Sequence, residues 1–215
     1  MHVLFDLNGT LLDVAPLTAA FPGAPRGLAL SVLDHAVAQA MVDTITESPR
    51  PFREYVGAAL AHRAAVAGLP DDAVDAGVAA ARALPPFPDA ARALETLRDA
   101  GHTPHVVTNS AAAAAEEALR AGGLRDLVDR VLGADAAGVY KPHPRVYGRA
   151  LEELGCEAAD TWFVAAHWWD VTGAKRAGLR TAWIGRDEAV LLRTAPQPDV
   201  AVPDLLGAAQ AIAGH

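Results

Sequence analysis

The first apolar run of the chain is short and stops at polar residues. Residues 2–5 are mainly apolar, Asp6 follows them directly, and the pair Gly9-Thr10 comes shortly afterwards. A short apolar run bounded by a glycine-containing loop predicts a buried strand that ends in a tight turn. Open α/β sheets place their ligand sites at such strand ends, so Asp6 is the first candidate for chemistry.

The region 16–85 has a different pattern, because its apolar residues recur every three or four positions. This spacing predicts helices with one apolar face and no strand. The stretches that carry it are 28–46, 52–67 and 73–83. Prolines cluster near both borders, in 22–25 and in 85–88, as expected where an insertion leaves and rejoins a domain. We therefore predict a helical domain at 16–85 inserted into a domain formed by 1–15 and 86–215.

Strand and helix patterns alternate in the rest of the chain. The predicted strands are 103–108, 128–132, 161–165 and 180–184, and the predicted helices are 89–100, 111–121, 144–154 and 170–177. Alternation of this kind predicts a parallel sheet between two layers of helices, a Rossmann-like three-layer α/β fold.

Polar side chains follow the carboxyl ends of the predicted strands. Asp6 follows the first strand, and 108–110 follows the second. Lys141 lies in the loop after the third, and His167 and Asp170 follow the fourth. Because the carboxyl ends of parallel strands meet at one edge of a sheet, we expect these side chains to converge on one site.

Four short motifs stand at these strand ends. They are Asp6-x-Asn8-Gly9-Thr10-Leu11, Thr108-Asn109, Lys141-Pro142 and Phe163-Val164-Ala165-Ala166-His167-x-x-Asp170. In this order, with a helical insertion after the first, they span nearly the whole chain, which resembles the haloacid dehalogenase superfamily. Within it the chain is most similar to type II 2-haloacid dehalogenases. The further matches are Trp169-Asp170-Val171-Thr172-Gly173-Ala174, Trp183-Ile184 and Tyr147, which lies six residues after Lys141.

The resemblance implies a Rossmann-like core with a small helical cap and a hydrolase that forms a covalent aspartyl intermediate. Asp6 would attack C2 of a small 2-haloacid and displace halide, and water assisted by Lys141 and Asp170 would hydrolyse the ester. A nearby cation is what a nucleophilic carboxylate needs to stay ionised. Further site residues, binding substrate or supporting the reaction, are expected at Asn8, Thr10, Thr108, Asn109, Tyr147 and His167.

Several positions depart from the dehalogenase pattern. Asn8 replaces a tyrosine, and Ala165 and His167 replace a serine and an asparagine. Leu33 aligns with the cap arginine that holds the substrate carboxylate and the halide. The candidates to replace that arginine are Arg26, Arg50 and Arg53.

Asn8 bears on the type of reaction. A phosphate ester loses an alkoxide that an acid must protonate, and an amide cannot donate that proton, whereas halide leaves without one. Ala166 also stands where phosphatases of the superfamily carry a further carboxylate for Mg²⁺. We therefore expect dehalogenation without a cofactor or metal. The alternatives are a Mg²⁺-dependent phosphatase with Asp6 and Asp170 as metal ligands, and a non-catalytic relative that binds a ligand.

The roles of several other residues are less specific. Tyr147 is either a core tyrosine with a satisfied hydroxyl or a neighbour of the reaction. Asn109 orients Asp6 or caps the following helix. His167 is an acid or base, a substrate ligand or a helix first-turn residue, and Trp168 and Trp169 pack.

The composition of the chain indicates which kinds of ligand or partner it binds. The chain of 215 residues has a net charge of −8 and no Lys/Arg cluster, which argues against nucleic acid and anionic membranes and favours a small-molecule substrate. No export signal and no stretch of about 18 apolar residues is evident, so we predict a cytoplasmic protein. The single cysteine, Cys156, is expected to be a reduced thiol. A homodimer is compatible with the sequence.

Overall fold

The computed structural model describes residues 1–19, 21, 27–70, 72–186 and 190–215. These residues form two compact units. The core unit contains Met1–Leu12 and Pro86–His215, and the helical unit contains Asp13–Pro85. The insertion therefore begins at Asp13, where the sequence pattern placed it at residue 16.

Strands and helices alternate after the insertion as far as the fifth strand, which is followed by a sixth strand and then a helix. In chain order they are β1 His2–Phe5, α1 Pro16–Ala19, α2 Leu28–Ile45, α3 Phe52–Val66, α4 Asp72–Ala81, α5 Ala90–Asp99, β2 Thr103–Thr108, α6 Ala112–Ala121, β3 Val131–Gly133, α7 Pro144–Leu154, β4 Thr161–Ala165, α8 Trp168–Arg176, β5 Arg180–Ile184, β6 Val200–Val202 and α9 Leu205–Ala213.

The core unit is built on one parallel sheet with the strand order β3-β2-β1-β4-β5-β6. Its central strands β1 and β4 are apolar and buried on both faces, as parallel strands between helical layers must be. The strand order reverses beside β1, which pairs with both β2 and β4. Since βαβ crossovers are right-handed, this reversal places helices on both faces and opens a crevice at the carboxyl ends of β1 and β4. The predicted three-layer α/β fold is confirmed.

Side-chain caps define the starts of two core helices, α7 and α9. Pro144 occupies the first turn of α7, where the Nδ1 of His143 accepts a hydrogen bond from the backbone N–H of Arg145, and Gly155 ends the helix in a left-handed conformation. In α9 the Asp204 carboxylate accepts from the backbone N–H of Gly207. Helices α5 and α9 pack on each other, as do α7 and α8.

The helical unit consists of α1 to α4, with α2 packed against α3 and α3 against α4. The Tyr55 hydroxyl donates to Asp43 at 2.9 Å and joins α3 to α2. Helix α2 has 18 residues and a hydropathy of 1.2, so its length and composition suit a membrane span. The expectation that no segment reaches this limit was therefore wrong. A core helix can have the same length and composition, and α2 buries one face that includes Val32, Ala36 and Ala40.

The structure differs from the predicted elements mainly at their borders. Strand β3 pairs with β2 only over 131–133, so it starts later than the predicted residue 128. Helix α8 starts at Trp168, because the carbonyl of His167 already accepts the N–H groups of Asp170 and Val171. Strand β6 and helix α9 were not predicted.

Candidate active site

Asp6 lies at the carboxyl end of β1, in a loop that closes on itself. The backbone N–H groups of Leu11 and Leu12 both donate to the carbonyl of Leu7. Gly9 adopts φ +84°, which favours glycine. The hydroxyl of Thr10 donates to Asp6 Oδ2 at 2.8 Å and accepts from the backbone N–H of Ala166 at 3.0 Å. Thr10 therefore ties the Asp6 carboxylate to the end of β4.

Lys141 is fully buried and bridges two carboxylates. Its Nζ donates to Asp6 Oδ1 at 2.8 Å, to Asp170 Oδ2 at 2.6 Å and to the carbonyl of Val107 at 2.9 Å. An ammonium has three hydrogens, so protein acceptors use all of them. The predicted convergence of Asp6, Lys141 and Asp170 is present as direct contact.

Asn109 positions the segment that carries Lys141. Its Oδ1 accepts the backbone N–H of Lys141 at 2.8 Å. The side chain neither bonds to Asp6 nor caps α6, whose N-terminus has no side-chain cap. The capping role was thus wrong, and Asn109 is linked to Asp6 only through Lys141. The Nδ2 group of Asn109 is buried and donates to no described residue.

Tyr147 fixes the second carboxylate from α7. Its hydroxyl donates to Asp170 Oδ1 at 2.5 Å and is completely buried. Gly173 makes this approach feasible, since a Cβ there would lie 2.6 Å from the Tyr147 hydroxyl oxygen. Burial raises the pKa of Tyr147 well above its ordinary value, and the charge of Asp170 adds to the rise, so the hydroxyl keeps its proton. Tyr147 is both a core residue and a neighbour of the site.

His167 is the second basic group beside Asp6. Its Nδ1 lies 3.3 Å from Asp6 Oδ2, and its ring stacks on Trp169 at 5.2 Å between centroids. The side chain keeps 11% exposure, and no described residue bonds to Nε2. Burial lowers the pKa of His167, but the hydrogen bond to Asp6 and its charge outweigh burial, so the pKa is raised above 6.5.

The two carboxylates have opposite pKa shifts. Burial alone raises the pKa of Asp6, but the charge of Lys141 and the contact with His167 lower it well below its ordinary value. Burial raises the pKa of Asp170, the charge of Lys141 opposes this rise, and the charge of Asp6 adds to it. The resulting pKa of Asp170 is about 6. Burial also disfavours charge on Lys141, yet Asp170 and Asp6 raise its pKa overall. At neutral pH the site therefore holds an ionised Asp6 beside a permanent cation.

Besides Asn109, two more predicted site residues form no hydrogen bond with these carboxylates. Asn8 Nδ2 donates to the Ser110 hydroxyl at 3.4 Å, and the hydroxyl of Thr108 accepts the backbone N–H of Ser110 at 3.2 Å. The Asn8 bond links the loop after β1 to the loop after β2, whereas the Thr108 bond lies within the turn that follows β2. The sequence did not indicate that the Val107 carbonyl would bind Lys141, since a backbone group leaves no residue-type signal.

The arginines considered for anion binding belong to the helical unit. Arg26 lies outside the described residues. Arg50 lies 3.8 Å from Asp43, and Arg53 is exposed on α3.

Asp6 and Asp170 do not fit a Mg²⁺ ion well. Lys141 occupies the position between them and already neutralises one charge. Among the residues that the structure describes, no group of three or more His, Cys, Asp or Glu side chains is arranged to hold a metal. Mg²⁺ prefers several hard oxygen ligands, and all four carboxylate oxygens of this pair already accept hydrogen bonds from protein groups.

Known proteins share both the sequence and the fold. The (S)-2-haloacid dehalogenase of Pseudomonas sp. (strain YL) is 30% identical over 209 residues, which are 94% of this chain and 90% of that protein. Probable phosphatase IndB of Dickeya dadantii (strain 3937) is 34% identical over 191 residues, or 82% and 77% of the two chains. The L-2-haloacid dehalogenase of Xanthobacter autotrophicus with covalently bound chloropropionic acid superposes with a TM-score of 0.89 at 26% identity, over 99% and 98% of the chains.

The match to a family profile extends over most of the chain. The profile of the haloacid dehalogenase-like hydrolases covers residues 1–178, which include Asp6, Lys141 and Asp170. The resemblance inferred from the four motifs is thereby confirmed, and the chain belongs to the haloacid dehalogenase-like hydrolases.

Proposed function

We propose that this protein hydrolyses the carbon–halogen bond of a small 2-haloacid through an ester on Asp6. The observation that carries the proposal is the bridge of Lys141 between Asp6 and Asp170. This bridge keeps the nucleophile ionised and pairs it with a second carboxylate for the hydrolytic step.

In the first step a carboxylate oxygen of Asp6 attacks C2 of the haloacid. The new C–O bond forms as the C–halogen bond breaks, and the halide leaves with the bonding electron pair. No acid is needed for this leaving group, which agrees with the absence of an acidic side chain at Asn8. Thr10 and Lys141 hold the two carboxylate oxygens in place for the attack.

In the second step water attacks the carbonyl carbon of the Asp6 ester. Asp170 accepts a proton from the water, and Lys141 stabilises the negative charge on the ester oxygen. The acyl C–O bond then breaks, and the alkoxide of the product takes up one of the two protons of the water. The other proton is released, and Asp6 is again a carboxylate. Since only the first step changes C2, the product is a 2-hydroxyacid of inverted configuration.

The relatives support this substrate class. The Pseudomonas relative is named an (S)-2-haloacid dehalogenase, and the Xanthobacter structure holds chloropropionic acid bound covalently. We extend the proposal to the helical unit as a cap for the site. A cytoplasmic location and a homodimer remain predictions that cell fractionation and size-exclusion chromatography test.

Chloride release tests the proposed function. Purified protein is mixed with chloroacetate and with each enantiomer of 2-chloropropionate, in EDTA. We expect chloride and a 2-hydroxyacid from chloroacetate and from the (S) enantiomer, whose lactate product is (R). If neither enantiomer nor chloroacetate yields chloride, the substrate class is wrong.

Hydrolysis of a phosphate ester is a second candidate, favoured by the 34% identity to Probable phosphatase IndB. It requires Mg²⁺ at Asp6 and Asp170 and a proton donor that Asn8 does not supply. The same protein is incubated with p-nitrophenyl phosphate in Mg²⁺ or in EDTA. Phosphate release that EDTA abolishes would reverse the ranking of the two functions.

A further inference from the structure

We propose that His167 recognises the carboxylate of the substrate, with one ring nitrogen bonded to Asp6 and the other donating to the ligand. The inference rests on the proposed function, because it assigns the anion-binding group of that same site. It makes His167 a recognition residue as well as a neighbour of the nucleophile.

The ring of His167 is fixed in a defined orientation. Nδ1 faces Asp6 Oδ2, and the ring face lies on Trp169. The Cε1–Nε2 edge lies against Gly9, where a Cβ would be 2.6 Å from Cε1 and 2.9 Å from Nε2. A glycine is therefore required at this position both for its backbone conformation and to leave room for the imidazole ring.

Nε2 is the ring nitrogen left for a ligand. No described residue bonds to Nε2. The His167 side chain is 11% exposed, and the side chains of Asp6, Asp170 and Lys141 beside it are more deeply buried.

The charges of the site also call for a second cation. Asp6 and Asp170 carry two negative charges, and Lys141 supplies one positive charge. An anionic substrate would therefore meet a net negative site if His167 were neutral. An imidazolium at His167 brings the cluster to neutrality and donates from both nitrogens.

Lys141 cannot take this role. Its three ammonium hydrogens are donated to Asp6, Asp170 and the Val107 carbonyl, so none is left for a ligand. The free Nδ2 of Asn109 is a neutral donor, which leaves the net charge unchanged. His167 is thus the group that combines a free donor with positive charge.

Binding of propionate, an unreactive carboxylate, tests the assignment by calorimetry between pH 6.5 and 9.5. The charged groups that face His167 are Asp6, Asp170 and Lys141, and the whole of this pH range lies above the Asp170 pKa of about 6. We expect wild-type affinity to fall as pH rises through the pKa of His167. In His167→Asn the low-pH affinity falls by about tenfold or more, and the dependence on pH above 7.5 disappears.

Two controls separate recognition from a structural effect. Propionamide has the shape of propionate without its charge, so wild type binds it more weakly, and His167→Asn loses this discrimination. His62→Asn removes an exposed histidine of the helical unit and leaves the affinity for propionate unchanged. With (S)-2-chloropropionate as substrate, His167→Asn raises KM more than it lowers kcat.

The outcomes distinguish this inference from the proposed function. Equal propionate affinity and equal pH dependence in wild type and His167→Asn would overturn the inference, whether or not chloride is released. If the variant does not fold, the NMR signal of His167 Cε1–H in wild type decides: propionate shifts it and raises the pKa of His167, and an unchanged signal would refute the role. If propionate binding depends on His167 but no 2-haloacid releases chloride, the inference is supported and the proposed function is refuted.

Discussion

Two buried histidines of the core unit lie near opposite ends of the parallel sheet, and their pKa values move in opposite directions. His167 follows the carboxyl end of β4 beside Asp6, and its pKa is raised above 6.5. His105 lies on β2, with its Nε2 2.9 Å from the Nδ1 of His2 at the start of β1, and its pKa is lowered to about 4.

Burial has the same sign in both places, so it does not explain the difference. It lowers the pKa of both rings by disfavouring the charged form. At His105 the nearby His2 lowers the pKa further, and the carboxylate of Asp129 at 3.8 Å only partly opposes this. At His167 the contact with Asp6 reverses the sign. The close contact with the ionised Asp6 carboxylate thus distinguishes His167 from His105.

The largest effect is expected from Asp6→Asn, which removes the nucleophile. An amide attacks carbon poorly, so chloride release falls by about three orders of magnitude or more. The same type of substitution at the amino end of the sheet, Asp129→Asn, leaves turnover unchanged. The Asp129 carboxylate is 59% exposed and lies beside His105, away from Asp6. Chloride assays on both variants, with melting curves to verify folding, make the comparison. Retention of turnover in Asp6→Asn would exclude the ester mechanism.

Lys141→Met is expected to have the next largest effect, on the free energy of unfolding. It leaves Asp6 and Asp170 buried without their common cation, which costs about 3 to 5 kcal/mol. Lys175→Met is the control, because Lys175 pairs with Asp199 where both side chains are partly exposed, and its loss costs less than about 1 kcal/mol. Urea unfolding at pH 7.5 measures both. Equal costs would show that the bridge adds nothing beyond a surface ion pair.

The sequence predicts the charged end of the sheet better than its edges. Asp6, Lys141 and Asp170 each follow a clear strand pattern, and parallel topology then brings them together. Strand β6 consists of Val200–Val202 between polar and proline residues, and its pairing with β5, a long-range contact, is what makes it a strand. The local sequence pattern around 200–202 does not indicate this pairing with β5.

The contacts within the site were less predictable than its members. Asn109 was expected to bond to Asp6 or to cap α6, and instead it accepts the backbone N–H of Lys141. The residue type indicated a hydrogen-bonding role, but its partner depends on how the loop before α7 approaches β2. The stacking of His167 on Trp169 has the same origin, since it depends on where α8 begins.

The two histidines predict opposite dependences of stability on pH. His105 takes up protons more readily in the unfolded chain, with an ordinary pKa of 6.5, than in the folded protein, with a pKa of about 4. Its presence therefore destabilises the fold as pH falls from 6.5 towards 4, by about 2 kcal/mol at pH 5. His167 has a raised folded pKa, so its stabilisation is fully present below pH 6.5 and is lost as pH rises through that pKa.

Urea unfolding of wild type, His105→Gln and His167→Asn between pH 5 and pH 9 tests these signs. Relative to wild type, His105→Gln gains stability as pH falls below 6.5. His167→Asn loses stability relative to wild type at low pH, and the gap narrows as pH rises. Parallel curves for wild type and either variant would show that the corresponding histidine keeps its ordinary pKa in the folded protein.

The smallest effect is expected from two glycines with similar backbones at the two ends. Gly9 has φ +84° and Gly101, in the turn before β2, has φ +80°. Alanine costs about 1 to 2 kcal/mol at either position for the left-handed conformation. A Cβ at Gly101 meets nothing within 4 Å, whereas one at Gly9 meets the ring of His167 at 2.6 Å. Gly9→Ala should therefore be the less stable variant and should also weaken propionate binding and chloride release, while Gly101→Ala keeps both. If the two variants have equal stability and equal activity, the ring of His167 is not held against Gly9, and the carboxyl end of the sheet is less tightly packed than the contacts indicate.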